Sequence, residues 1–148
     1  MIAHQAAQSL AGKWVESRIF ERYLEDFVVG QTFRSGRVTI NEERIKRFAA
    51  EFDPQFFHLD PAAAQHTIFQ GLAASGWHTA AVTMRLLVES EFRPAGGIVG
   101  AGFDEIRWPR PVRPGDELGI KLRTTTLNQN SEAVQVSVGN LLVPRRLA

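Results

Sequence analysis

The chain has 148 residues, of which 44% are hydrophobic and 22% are charged. This length and composition are typical of one globular domain with its own core, and they exclude a disordered chain. The 17 Lys and Arg residues nearly balance the 16 Asp and Glu residues, and the formal net charge is +1. A protein that neutralises many phosphates would be more basic, so we expect no nucleic-acid partner. Arginine supplies most of the cations, and its guanidinium suits phosphate contacts, so a phosphorylated small ligand stays open.

The absence of cysteine excludes a disulfide framework, a zinc site built on thiolates and a cysteine nucleophile. The four histidines, His4, His58, His66 and His78, lack the spacing of metal-binding motifs, so we predict no metal site. The sequence has neither an apolar run of about 18 residues nor a signal-peptide pattern. We therefore expect a cytoplasmic protein with no membrane partner.

The first part of the chain has a weak pattern. Residues 1–22 show little regular spacing of their apolar positions, and we interpret them as an N-terminal arm that packs over the body of the protein or over a partner chain. The remaining residues, 23–148, form one domain. A short strand through Thr32, Phe33 and Val38 is predicted near its start.

An amphipathic helix of about three turns follows this strand. The segment Thr39-Ile40-Asn41-Glu42 matches a capping box, in which Thr39 is the N-cap and Glu42 lies three residues later. Because the residue before a proline is disfavoured in helical geometry, Pro54 makes the helix end at Asp53. The apolar face, spaced i, i+3, i+4 and i+7, comprises Ile45, Phe48, Ala49 and Phe52.

The segment Asp53-Pro54-Gln55-Phe56-Phe57-His58-Leu59-Asp60-Pro61 carries the strongest indication of chemistry. An X-Pro step at each end prevents a regular helix from running through it, so we expect Asp53 and His58 to lie on a shaped loop. Loops between regular elements often carry function, and a carboxylate with an imidazole suits proton transfer near neutral pH. We interpret these two residues as a candidate catalytic pair.

A structural interpretation of the same segment stays open. Asp-Pro often begins a turn, Asp60 could cap a short helix that begins at Pro61, and a single histidine is often only a hydrogen-bonded loop residue. In either case, we expect Phe56 and Phe57 to anchor the segment in the core.

The clearest helical period of the chain begins after Ser75 and Gly76. We predict a central helix whose apolar residues pack under a sheet. Its N-terminus offers N–H groups and the positive end of the helix dipole to an anionic oxygen. Alternatively, Ser75 is only the N-cap and Gly76 only allows tight packing. The predicted buried stripe comprises Trp77, Ala80, Ala81, Met84, Leu87 and Val88.

Strand patterns dominate the rest of the chain. One strand precedes a proline-rich corner, and two further strands follow it. Because helices come first and strands last, we predict an α+β fold in which an antiparallel sheet wraps a long helix. The apolar positions of the three strands are Phe103, Ile106 and Trp108, then Leu118, Ile120 and Leu122, then Val134, Val136 and Val138.

These motifs, in this order, resemble those of the MaoC-like dehydratases and (R)-specific enoyl-CoA hydratases. The family signature Asp-x-Asn-Pro-Leu-His-x-Asp-Pro is similar to residues 53–61, with Gln55-Phe56-Phe57 in place of Asn-Pro-Leu. The family's His-Gly at the start of the central helix corresponds to Ser75-Gly76, and its proline-rich corner corresponds to residues 110–117. The resemblance covers about residues 23–144 and implies the hotdog fold, a long helix wrapped by an antiparallel sheet.

Two departures from the family pattern affect what the resemblance implies. Only two clear strands fit after Gly115 where three are expected, so we expect a sheet that is short by one strand or is completed by the N-terminal arm. The exchange of Asn-Pro for Gln55-Phe56 alters the interior of the loop. The acyl-chain preference of the family therefore does not transfer.

The resemblance implies the reversible hydration of a trans-2-enoyl thioester to the (R)-3-hydroxyacyl thioester. On this hypothesis Asp53 and His58 share one water and divide the base and acid roles, in an order that the sequence does not decide. The N–H of Gly76, with Ser75 beside it, stabilises the enolate-like oxygen. No cofactor is needed, because CoA arrives as part of the acyl-CoA substrate. The family usually forms homodimers sheet to sheet, so the resemblance implies a homodimer or a higher homo-oligomer.

Two other functions stay open. An acyl-CoA thioesterase on the same fold would direct the water at the carbonyl carbon, and a catalytically silent acyl-binding or dimer-partner subunit would turn over nothing. We interpret His66 and His78 as structural residues in each case.

Overall fold

In the part of the chain that the structure describes, five strands form a sheet that packs against one long helix. The computed structural model describes residues 21–121 and 125–147, and the predicted N-terminal arm lies outside them except at its last two residues. A 3₁₀ turn, Leu24–Asp26, comes first. The helices are α1 (Glu42–Phe52), α2 (Phe56–Leu59), α3 (Pro61–Ala64) and α4 (Gly76–Val88), and the strands are β1 (Val38–Thr39), β2 (Val99–Arg107), β3 (Glu117–Lys121), β4 (Thr125–Leu127) and β5 (Ala133–Leu142).

The strands pair in the order β1-β3-β4-β5-β2, and each pair is antiparallel. The predicted α+β class is therefore confirmed. The prediction of a sheet short by one strand is wrong, because β4 supplies the third strand after Gly115. With only three residues, β4 is too short to show an alternating pattern. The strand predicted through Thr32, Phe33 and Val38 is reduced to β1, and the predicted position Leu122 lies outside the described residues.

The face of α4 that packs on the sheet is not the predicted one. Four of the six predicted positions are exposed, namely Trp77, Ala81, Met84 and Val88. The buried positions are His78, Thr79, Val82, Thr83 and Leu86. The Thr83 hydroxyl lies 2.8 Å from the Thr79 carbonyl oxygen and 2.6 Å from Thr126 Oγ1. Since a hydrogen-bonded hydroxyl can be buried at little cost, the less apolar face of α4 is the covered one.

The hydrophobic core lies between α4, α1 and the sheet, and burial of its apolar surface is the main favourable term in folding. None of the helices in the two described ranges is long and apolar enough to cross a membrane. The core cluster comprises Ile40, Ile45, Leu72, Ala74, Val82, Leu86, Val112, Leu118, Ile120 and Val134.

Helix α1 begins at a different cap from the predicted one. Asn41 is the N-cap, and its side chain accepts a hydrogen bond from the Arg44 N–H at 2.9 Å. Thr39 instead pairs with Glu117 in the sheet, so the chain is still extended at the predicted cap. The N-cap predicted from the capping box therefore lies two residues before the observed one.

The segment between α1 and α4 is more helical than expected. The predicted end of α1 is confirmed, since Asp53 is its C-cap, but the expected loop contains the single turn of α2. Asp60 caps α3 and Pro61 is its first residue, as predicted. Phe56 is 56% exposed and does not anchor the segment, whereas Phe57 is half-buried. Consecutive side chains on a helix point about 100° apart, so only one of these two phenylalanines faces inward.

Candidate active site

The end of α1 and the turn of α2 bring a carboxylate and an imidazole together. Asp53 Oδ2 lies 3.3 Å from His58 Nε2, and the two side chains are 18% and 5% exposed, respectively. The imidazole is therefore embedded in the protein, while the carboxylate is still reachable from solvent. The structure forms the pair that the sequence indicates, and its catalytic role stays a prediction.

The tautomer of His58 follows from its second contact. Nδ1 lies 2.7 Å from the carbonyl oxygen of Ala73. Because a carbonyl oxygen only accepts hydrogen bonds, Nδ1 carries the hydrogen. In the neutral ring, Nε2 is then a hydrogen-bond acceptor that faces Asp53.

The surroundings of Asp53 favour its ionised form. Partial burial raises the pKa of the carboxyl group, but hydrogen bonds from the Ser75 hydroxyl and the Gln55 amide lower it, and the charge of His58 acts in the same direction. The net effect is a pKa below the ordinary value of 3.8. The Gln55 amide nitrogen lies 2.6 Å from Oδ1. Asp53 is therefore a carboxylate near neutral pH.

Two hydrogen-bond acceptors thus face each other when the imidazole is neutral. Lone pairs on Asp53 Oδ2 and His58 Nε2 repel at close range, whereas a water molecule can donate one hydrogen to each atom. Protonation of His58 converts the same contact into an ion pair. The arrangement can therefore orient a water and take up one proton.

Ser75 and Gly76 lie beside this pair at the start of α4. The Ser75 hydroxyl accepts a hydrogen bond from the Trp77 N–H at 3.2 Å, and its interaction with Asp53 lowers the pKa of that carboxyl group. Gly76 opens the first turn, whose N–H groups have no intrahelical partner. A Cβ on Gly76 would lie only 2.7 Å from the Trp108 ring. The structural roles of cap and close packing are confirmed for the two residues, and the oxyanion role stays a prediction.

Arg113 supports the segment that contacts the imidazole, and no sequence pattern other than the proline-rich corner indicates this role. Its guanidinium donates hydrogen bonds to the carbonyl oxygens of Phe69, of Gly71 at 2.9 Å and of Leu72 at 3.2 Å. The next residue is Ala73, whose carbonyl fixes the tautomer of the histidine. One half-buried cation therefore keeps the carbonyl in place.

Aromatic rings form one wall of the site. The Phe57 ring centroid lies 4.6 Å from that of His58, and the Phe69 centroid lies 5.9 Å from it. Phe57 and Phe69 also contact each other, at 5.2 Å. An apolar wall strengthens electrostatic interactions beside it because water is displaced.

The two other described histidines differ in their surroundings. His66 is exposed after α3, whereas the ring of His78 is buried and stacks on Phe48 with a centroid distance of 4.8 Å. Within residues 21–121 and 125–147, no group of three His, Asp or Glu side chains could hold a metal ion.

A family model described as "MaoC like domain" matches residues 26–143. The uncharacterised protein YdeM from Bacillus subtilis (strain 168) is 37% identical over 95 residues, which are 64% of this chain and 67% of that protein. Protein MaoC from Klebsiella aerogenes is 31% identical over 138 residues, with 88% of this chain and 41% of that protein covered. The chain thus spans less than half the length of the Klebsiella protein.

Two solved structures have the same fold. The MaoC-like dehydratase from Rhodospirillum rubrum is 48% identical with a TM-score of 0.81, and the match covers 86% of this chain and 99% of that one. R-Hydratase PhaJ1 from Pseudomonas aeruginosa is 25% identical with a TM-score of 0.68, and the match covers 84% of this chain and 86% of that one. These likenesses confirm the predicted hotdog fold. Because the family model also matches most of the sequence, the chain belongs to the MaoC-like dehydratase family.

Proposed function

We propose that the protein catalyses the reversible hydration of a trans-2-enoyl-CoA to the (R)-3-hydroxyacyl-CoA. The observation that carries this proposal is the 3.3 Å distance between Asp53 Oδ2 and His58 Nε2. With a neutral imidazole, both atoms are hydrogen-bond acceptors, and one water could donate to the two of them. Hydration needs one water to be held and deprotonated beside the substrate. The likeness to R-hydratase PhaJ1 supports the same reaction class.

In the proposed reaction, a water donates one hydrogen to Asp53 and the other to His58, and a lone pair of its oxygen points at Cβ of the substrate. The C–O bond forms at Cβ while the O–H bond facing His58 breaks, and the double-bond electrons move onto the thioester oxygen. The enolate then takes the same proton at Cα from the imidazolium. The proton balance closes without a cofactor.

We assign the proton transfer to His58 and the orientation of the water to Asp53. The lowered pKa of Asp53 makes its carboxylate a weak base, and an imidazole is better matched to proton exchange near neutral pH. The Gly76 N–H at the start of α4 stabilises the enolate oxygen in this scheme. Positioned proton transfer typically contributes about 10² to 10⁴ in rate, and one oxyanion donor about 10² to 10³.

Crotonyl-CoA separates this function from its alternatives. Loss of the conjugated enoyl absorbance without thiol release supports hydration. Thiol release with a retained double bond would instead identify an acyl-CoA thioesterase. Neither change, in a folded preparation, would identify a silent subunit.

The Asp53→Asn variant tests the named residue. Asparagine has no negative charge, and its NH2 group donates where a carboxylate oxygen would accept from the water. We therefore expect kcat to fall by about 10² or more. Asp104→Asn is the matched control, since Asp104 is an exposed carboxylate on β2 and the chemical change is the same. Circular dichroism should show that both variants are folded. Equal kcat values for the two variants would contradict the assignment.

We also propose that two copies of the chain associate as a homodimer. Strand β2 is an edge of the sheet, and within the described part of the chain it pairs only with β5. A long free edge of this kind can pair with another strand. The exposed apolar row on α4, with Trp77 61% exposed, offers surface that a second copy would cover.

A further inference from the structure

A cavity of about 250 Å³ lies between α1 and α4, outside the pair just described. It is bordered by two cations, one anion, two phenylalanines and a histidine. The bordering residues are Arg44, Arg47, Phe48, Glu51, Phe52 and His78. None of them has a role in the hydration scheme.

His78 is the least explained polar side chain of this cavity. The residue is 6% exposed, and its Nδ1 is buried without a hydrogen-bond partner among the described residues. Such unsatisfied groups are rare in folded proteins and call for an explanation. His78 is also one of the residues that border the cavity. A ligand in the cavity would therefore lie beside this imidazole.

The cavity has a positive potential. Burial, together with the charges of Arg44 and Arg47, lowers the pKa of His78 from 6.5 to about 4. Both guanidinium groups therefore act on the same space. Among the described residues, Glu51 is the one carboxylate that borders the cavity. Arg44 donates to the Thr39 carbonyl at 2.8 Å, whereas Arg47 has no hydrogen bond or ion pair in the described ranges and is free to bind an anion.

The position of the cavity relates it to the candidate active site. Arg47 precedes Asp53 by six residues along α1, or about 9 Å at 1.5 Å per residue, and His78 follows Ser75 by less than one turn of α4. A second, larger cavity of about 460 Å³ contains Arg22, Arg34 and Arg93. It lies at the opposite end of α4, which is about 20 Å long. The smaller cavity is therefore the nearer cationic site.

We propose that the cavity between α1 and α4 binds a phosphate group of the carrier part of the thioester, with Arg44 and Arg47 pairing with the phosphate and His78 Nε2 donating to it. This inference rests on the proposed function, because it takes a thioester of CoA or of phosphopantetheine as the substrate. Arginine suits phosphate because its planar donors match two oxygens at once. The pantetheine arm then reaches from the cavity to the pair formed by Asp53 and His58.

The first test is the KM of Arg47→Gln for crotonyl-CoA. The variant should raise KM about 10-fold or more while kcat changes little, since a charged hydrogen bond to the phosphate is lost away from the reacting atoms. Lys46→Gln is the matched control: it removes one positive charge from the same helix, but Lys46 pairs with Glu42 and does not border the cavity. An unchanged KM for Arg47→Gln, or an equal rise for both variants, would overturn the proposal.

Truncated substrates identify the phosphate. The KM penalty of Arg47→Gln should vanish for crotonyl-pantetheine, which has no phosphate. If it also vanishes for crotonyl-3′-dephospho-CoA, the bound group is the 3′-phosphate of CoA. If it persists for crotonyl-4′-phosphopantetheine, the bound group is the phosphate next to pantetheine, which carrier proteins also present. A penalty that persists for crotonyl-pantetheine would show that Arg47 acts on the fold and would overturn the proposal.

A measurement without catalysis separates this inference from the hydration proposal. Free CoA should raise the pKa of His78 by about one pH unit or more, because an anion beside the ring favours its protonated form; histidine proton NMR on the Arg47→Gln and native proteins reports this change. Free pantetheine should leave the pKa near 4. If CoA does not raise the pKa of His78, the phosphate site is overturned even when hydration is observed. If CoA raises this pKa but the protein hydrates no thioester, the phosphate site is supported and the hydration proposal is contradicted.

Discussion

The contact between Gly76 and Trp108 is a residue-scale constraint on the candidate site. Alanine at the first position of a helix normally costs nothing, but a Cβ on Gly76 would lie 2.7 Å from a ring carbon of Trp108. We expect Gly76→Ala to destabilise the fold by about 1 to 3 kcal/mol. It should also lower kcat, because the first turn of α4 would shift away from Asp53. Chemical denaturation and the crotonyl-CoA assay measure the two effects.

Two further variants define what the Gly76→Ala result means. Gly100→Ala should stay within about 0.5 kcal/mol of the native protein, since no described residue lies within 4 Å of its added Cβ. Combining Gly76→Ala with Trp108→Ala should recover part of the loss, because the overlapping ring is removed. A double variant with fully additive losses would contradict a direct clash.

Sequence reasoning at the residue scale succeeded where the chemistry depends on short spacing. Asp53 and His58 are five positions apart in a segment that has an X-Pro step at each end, and the structure joins them at 3.3 Å. The same reasoning could not show that Ser75 lowers the pKa of Asp53, because that interaction depends on how α4 packs beside α1. The support from Arg113 was missed for the same reason, since its acceptors are more than 40 positions away.

At the start of α1, a helix-capping pattern competes with strand pairing for the same residue, Thr39. The motif from Thr39 to Glu42 fits a capping box, but pairing of Thr39 with Glu117 extends the sheet by one position and leaves the cap to Asn41. Asn41→Ala should therefore cost about 1 kcal/mol of stability. Thr39→Ala should cost less than half of that, because the exposed Thr39 side chain caps nothing. Urea denaturation midpoints compare the two variants.

The reverse ranking would contradict the observed cap and restore the one predicted from the sequence. Glu43→Ala is a control on the same helix, since Glu43 is exposed and has no capping contact. Its stability should be close to that of Thr39→Ala.

Two other predictions about secondary structure, the buried face of α4 and the number of strands, were wrong because tertiary contacts decide them. The apolar stripe of α4 predicted its buried face, yet the sheet covers the threonine-rich face, where Thr83 hydrogen-bonds Thr126 of β4. The strand β4 itself has too few residues to show a period, and its place is set by pairing with β3 and β5. Periodicity identifies that a helix is amphipathic, but the partner decides which face is buried.

At the scale of the whole molecule, the exposed apolar row of α4 and the outer edge of β2 would lie in the same interface of the proposed dimer. The apolar row of α4 includes Met84 and Val88, which are 40% and 44% exposed. The outer edge of β2 carries Phe103, which is 61% exposed. The contact of Trp77 with Trp108, at 5.5 Å between ring centroids, links the start of α4 to the end of β2. A second copy that covers this surface would bury both features.

The double variant Met84→Lys/Val88→Lys tests this arrangement. Light scattering after size exclusion should give the native chain twice the 16.5 kDa of one copy, and the variant should elute as a monomer because four lysines would meet in one interface. Lysine is compatible with the last turns of a helix, so the fold should persist. The matched control is Val28→Lys/Val29→Lys, at two valines that are 71% and 103% exposed near a turn. A native monomer at millimolar concentration, or a variant that stays dimeric, would contradict the proposed interface.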